Sequence, residues 1–105
     1  MPVISIGTTV STIFNQNINR EKLFLQNTGK NKIYFTKQKN GVVRTPTSTD
    51  YDFMLVPIVE AGNSNKIKDA SAISQTDIHS IGGIKAVSEE DGSILAYFET
   101  VKVGI

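Results

Sequence analysis

Asn19-Arg20-Glu21-Lys22-Leu23-Phe24-Leu25-Gln26-Asn27-Thr28-Gly29-Lys30-Asn31-Lys32-Ile33-Tyr34-Phe35 decides the reading of this chain. Two β-type runs, Leu23 to Gln26 and Ile33 to Phe35, flank a polar segment from Asn27 to Asn31. Asn and Gly tolerate the backbone angles of tight turns, so the segment reads as a hairpin turn. Upstream, Asn15-Gln16-Asn17-Ile18-Asn19 is polar and turn-like. The block therefore predicts an all-β domain.

The pattern extends outward in both directions. Ile4, Ile6, Val10 and Phe14 fall on even positions, the period of a strand, with Gly7 splitting the run. Downstream, Asn40-Gly41 precedes Val42 and Val43, a strong hairpin signal. Thr45-Pro46-Thr47-Ser48-Thr49-Asp50 reads as a loop, because Pro46 has no N–H to donate. Phe53-Met54-Leu55-Val56 is apolar at every position, as in a strand covered on both faces. From Glu60 to Gly83 the periodicity weakens. Ile67, Ala70 and Ile73, with Ser64 as N-cap, allow one short helix there.

Ile84-Lys85-Ala86-Val87-Ser88 and Ser93-Ile94-Leu95-Ala96-Tyr97-Phe98 read as a second hairpin around Glu89-Glu90-Asp91-Gly92. Ile94, Ala96 and Phe98 share one parity. Val101, Val103 and Ile105 take the other, which predicts a phase slip near Glu99-Thr100. The expected fold is one domain over residues 1–105. It is an antiparallel β-sandwich, jelly-roll-like, with at most one short helix. The expected core is Leu23, Leu25, Ile33, Phe35, Phe53, Leu55, Ile84, Ala86, Ile94, Ala96 and Phe98.

Composition narrows the chemistry. The chain of 105 residues has no cysteine, which excludes disulfides and thiolate metal sites. No apolar run reaches the ~18 residues of a membrane span, and Met1-Pro2-Val3-Ile4-Ser5 does not read as a secretory signal. His79 is the single histidine, so a multi-histidine metal centre is out of reach. Asp50 and Asp52 could ligate calcium, but one spaced pair falls far short of a recognisable calcium loop. Glu89, Glu90 and Asp91 sit together on a turn, unlike carboxylates facing each other across a cleft. No serine lies in Gly-x-Ser-x-Gly and no phosphate-binding glycine loop occurs. The expectation is a protein without catalytic residues, metal or cofactor.

Charge is unevenly placed. Residues 1–49 carry seven Lys/Arg against one acid, and residues 50–105 carry four Lys against nine acids. If the fold separates these halves, the surface is bipolar and suits subunit contacts. Lys30, Lys32, Lys37, Lys39 and Arg44 form the basic side of such a contact, with Glu89-Glu90-Asp91 of a neighbour as one acidic counterpart. Met54 and Val56, on the opposite parity from Phe53 and Leu55, are the apolar alternative. Basic groups around Tyr34 and Phe35 also suggest single-stranded nucleic acid. Phe35 shares the core parity of Ile33, however, and the net charge of +1 is small for that task.

Asn17-x-Asn19-Arg20-x-x-Leu23-x-Leu25-Gln26-Asn27-Thr28-Gly29-x-Asn31-x-Ile33-Tyr34 resembles a block in small structural proteins of tailed bacteriophages. Gly83 to Ser88 and Gly92 to Glu99 resemble the segments that follow it there. The resemblance covers roughly residues 8–100 and implies a virion component, assembled in the host cytoplasm. A head decoration (cement) protein or head-fibre base is implied first, binding the major capsid protein or another virion protein. Such proteins are β-sandwiches or jelly rolls and often trimers. A tail or fibre module that binds host glycan or protein is the alternative. The 60–83 segment departs from the family pattern, so the docking surface is left open.

Overall fold

In the computed structural model, which describes residues 2–57, 73–79 and 81–102, eight antiparallel strands alternate inward and outward side chains. They are β1 (Val3–Ile6), β2 (Ser11–Phe14), β3 (Arg20–Asn27), β4 (Ile33–Lys37), β5 (Phe53–Leu55), β6 (Gln75–Ile78), β7 (Ile84–Ser88) and β8 (Ser93–Val101). One sheet has the order β1-β8-β3-β6 and the other β2-β7-β4-β5, the strand order of a jelly roll. Leu23, Leu25, Ile6 and Leu95 from the first sheet pack on Ile33, Phe35, Leu55, Ile84 and Ala86 from the second. Phe35 and Phe53 are cross-strand partners, and their rings stack at 4.6 Å. The all-β sandwich expected from the sequence is the fold.

Two of the three expected hairpins, β3–β4 and β7–β8, prove to be crossings between sheets. β3 has β6 on one side and β8 on the other, so it has no free edge for β4. β8 likewise lies between β1 and β3, which shuts out β7. Asn and Gly serve a sheet-to-sheet corner as readily as a hairpin, so turn chemistry alone could not separate the two. Of consecutive strands, only β4 and β5 share a sheet among the described residues, and residues 38–52 run between them. The Asn40-Gly41 turn within that excursion forms as expected. Both residues have positive φ, at 52° and 78°, and Lys39 and Val42 exchange backbone hydrogen bonds.

The core differs from expectation in β8. Leu95 is buried in the core and Tyr97 packs against it, whereas Ile94 is half-buried facing out and Phe98 is 52% exposed. Ala96 is buried, but on the outer face and outside the central cluster. Both parities of β8 are apolar, so the pattern could not choose between them. Pairing with β3 does, setting Tyr97 opposite Leu25 and Phe98 opposite Phe24. The expected slip at Glu99-Thr100 is absent from β8, which runs unbroken to Val101. The irregularity lies in its partner, between Arg20 and Lys22. β6 was hidden by its polar sequence, since only Ile78 of its four residues is buried. The expected helix falls almost wholly on residues 58–72, outside the described residues, as do Ile58, Val103 and Ile105.

Candidate interaction surfaces

The residues of the Asn17–Tyr34 block secure both ends of β3. Asn27 is fully buried at the end of β3. Its amide nitrogen donates to the carbonyls of Asn31 at 2.7 Å and Leu55 at 3.0 Å, and its oxygen accepts from the Gly29 N–H at 3.1 Å. One side chain thus ties β3, the crossing segment and β5 together. Gly29 lies against β8 so closely that a Cβ there would stand 2.7 Å from the Ile94 nitrogen. Asn17 accepts from the Asn19 N–H and donates its own N–H to the Ile81 carbonyl. Arg20 is buried with its Nε 2.6 Å from Glu99, and it donates to the carbonyls of Gly82 and Asn15. Its guanidinium also stands 5.7 Å from the Phe14 ring centre.

Part of the uneven charge of the two chain halves is paired inside the molecule. Arg20–Glu99, Lys39–Asp52, Arg44–Asp50 and Arg44–Asp52 each join a base of residues 1–49 to an acid of residues 50–105. The Asp50 and Asp52 carboxylates therefore converge on Arg44. Burial pushes the Asp52 carboxyl up. The Lys37 N–H, the Lys39 ammonium and the Arg44 guanidinium outweigh that and hold it below the usual carboxylate range. No group of three or more His, Asp or Glu side chains is placed to hold a metal among the described residues.

The five basic residues singled out in the sequence do not form one patch. Lys30 and Lys32 lie on the crossing before β4, and Lys37, Lys39 and Arg44 lie beyond its inward-facing run, at the other end. Lys32 and Lys37 are five residue steps apart along the strand, roughly 17 Å. Lys39 and Arg44 are paired, and Lys37 leans over the Phe53 ring at 5.9 Å. Met54 faces out beside Tyr34 and is half-buried, while Val56 is 2% exposed and bonds its N–H to the Ile73 carbonyl. Val56 is thus covered within the chain itself. His79 is exposed.

Two surfaces stand out that the sequence pattern did not mark. The first is the outer face of β1-β8-β3-β6. Phe98 lies opposite Phe24, Ala96 lies opposite Val3 and Gln26, and Ile94 shares the face. Val3 is 61% exposed. Lys22, two residues from Phe24 on the same strand, and Asp77, directly across from Phe24 on β6, place opposite charges beside this apolar centre. Exposed apolar residues in a contiguous group mark contact sites.

The second surface is a groove of about 460 Å³ on the outer face of the other sheet. Tyr34 and Val87 form its floor, with Pro46 and Thr45 on one wall and Thr8 and Val10 on the other. The wall is fixed because Thr36 donates its hydroxyl proton to the Arg44 carbonyl and the Thr47 hydroxyl accepts from the Asp50 N–H. Tyr34 donates its phenolic proton to Glu89 at 2.5 Å. Burial first, then this bond and the Glu89 charge, push the Tyr34 phenol far above its usual range. Glu89 is exposed on the turn expected from the sequence, and only the tertiary fold brings Tyr34 to it.

The strand order and the buried corner define a jelly-roll β-sandwich. No protein-family model, no curated protein and no solved structure matches the chain.

Proposed function

We propose that this chain is a non-enzymatic structural protein of a tailed-bacteriophage virion, a decoration protein that binds the outer surface of the head as a homo-oligomer. The observation that supports the reading is that residues of the phage-like block fill structural positions along β3 and at both of its ends. Asn17, Arg20, Leu23, Leu25, Asn27, Gly29 and Ile33 each hold a structural position there.

The outer face of β1-β8-β3-β6 is the subunit contact in this proposal. A second copy laid on it can cover Phe24 and Phe98 and set each Lys22 against the other's Asp77. Such a contact is self-complementary, as homo-oligomer interfaces with two-fold symmetry must be. The basic residues 30–44 are the weaker candidate, since Lys39 and Arg44 already have partners.

Cryo-electron microscopy of the parent particle tests the assignment. Density for this fold on the head surface supports it, and density confined to the tail sinks it. Sedimentation velocity tests the contact separately. The Phe24→Ser, Phe98→Ser double variant should sediment as a monomer with an unchanged circular dichroism spectrum. An oligomer that survives the double change would move the contact elsewhere.

A further inference from the structure

We propose that the groove floored by Tyr34 is a binding site for a neutral saccharide. Its volume of about 460 Å³ falls within the ~300–1,000 Å³ typical of small-molecule sites. Hydroxyls of Thr8, Thr45 and Ser48 line it over the small apolar surfaces of Val10, Val87 and Pro46. That mixture suits a ligand with many hydroxyls and a modest apolar face. The Thr8 hydroxyl already bonds Asp91 at 3.3 Å, and a purely apolar ligand would leave those of Thr45 and Ser48 without partners.

Glu89 sets the polarity of the site. Its carboxylate is the one charged group among the lining residues, which disfavours an anionic ligand. One of its oxygens accepts the Tyr34 proton, and this bond fixes the carboxylate at the groove. The other oxygen can accept from a sugar hydroxyl. A carboxylate accepts at both oxygens, so a pair of neighbouring hydroxyls is a natural partner. Tyr34 is only 5% exposed, so it presents little ring surface to a ligand. Recognition therefore runs through hydroxyl exchange, with little ring stacking. Binding of this type to an open groove should be weak, with dissociation constants on the order of millimolar.

The test is nuclear magnetic resonance titration of the ¹⁵N-labelled chain with the methyl glycosides of glucose, galactose, mannose, N-acetylglucosamine and rhamnose. Sialyllactose serves as the anionic comparison and glycerol as the non-saccharide one. The expected result is saturable shifts at the amides of Thr8, Ser48 and Glu89 with at least one neutral glycoside and none with glycerol. Glu89→Gln should weaken that binding about tenfold, the worth of one hydrogen bond to a charged acceptor. Tyr34→Phe, which frees the carboxylate from its anchor, should weaken it in the same direction. Both variants should keep the dispersed spectrum of the folded chain. Three results overturn the proposal: no saturable shift at these amides with any neutral glycoside, binding untouched by both variants, or stronger shifts with sialyllactose than with every neutral sugar. None of them bears on where the protein sits on a particle, so the site and the virion assignment fail separately.

Discussion

Replacing Asn27 by Ala should be among the most damaging single changes in the chain. The side chain is fully buried and makes three hydrogen bonds, to the carbonyls of Asn31 and Leu55 and from the N–H of Gly29. Truncation removes all three at once. Leu55 is fully buried, so water cannot replace its partner, whereas Asn31 and Gly29 are half-buried and recover part of theirs. A buried polar group left without a partner costs about 1–3 kcal/mol. One full penalty and two partial ones give about 3–5 kcal/mol, a large share of the roughly 5–15 kcal/mol that holds a domain folded. With a urea m-value of ~1–3 kcal/mol/M, the midpoint should fall by more than about 1 M.

Two further variants separate polar from packing effects. Asn27→Leu restores volume but no hydrogen bond, so it should recover little of the loss. Asn27→Asp keeps the acceptor for Gly29 and sets oxygen against the two carbonyls. A carboxyl there titrates above its usual range, so its deficit relative to the native chain should shrink as pH falls. If Asn27→Leu unfolds within about 0.5 kcal/mol of the native protein, the corner network contributes nothing and the reasoning is wrong.

Arg20→Met should destabilise by roughly 3–5 kcal/mol in urea titration, because it strands Glu99 and takes the guanidinium donors from the Gly82 and Asn15 carbonyls. Glu99→Gln, which keeps an acceptor, should cost less. The Asp52 carboxyl titrates below its unfolded value of 3.8, so it adds stability above that pH, which is lost as pH falls through the lower folded value. In Asp52→Asn the urea midpoint should therefore change less steeply with pH below about 4 than in the native chain. For Tyr34, the difference in phenolate absorbance between the native chain and Tyr34→Phe should appear only well above the ordinary tyrosine range, and at pH 10 it should be close to zero.

What could be read from the sequence divides by how local its cause is. Period-two burial in β3 and β4 was legible because Leu23, Leu25, Ile33 and Phe35 alternate with residues that face out or sit under a loop. The Asn40-Gly41 turn was legible because two successive positive φ angles demand such residues. The two crossings were not legible, since a corner and a hairpin ask for the same turn residues. The difference lies in which edges of β3 and β8 are already taken by distant strands. β8 failed for another reason. Ile94, Ala96 and Phe98 are as apolar as Leu95 and Tyr97, so only the register against β3 tells inside from outside.

That same ambiguity in β8 bears on function. A strand in the sheet of a lone domain usually shows one polar face, because exposed apolar groups gain nothing from water. β8 and β3 instead put Phe98, Ile94 and Phe24 on the outer face and keep Leu95, Tyr97, Leu23 and Leu25 inside. The sequence feature that misled the assignment of the core is therefore the one that marks a contact surface. The charges point the same way from the opposite side. Lys39 and Arg44, two of the five residues read as a basic contact patch in the sequence, find acids within the chain and leave the basic segment with less to offer a partner. Surface ion pairs contribute about 0–1 kcal/mol each and weaken with salt. An assembly built on the Phe24–Phe98 face should accordingly hold its association state from low to high ionic strength, whereas one built on residues 30–44 should dissociate as salt is added.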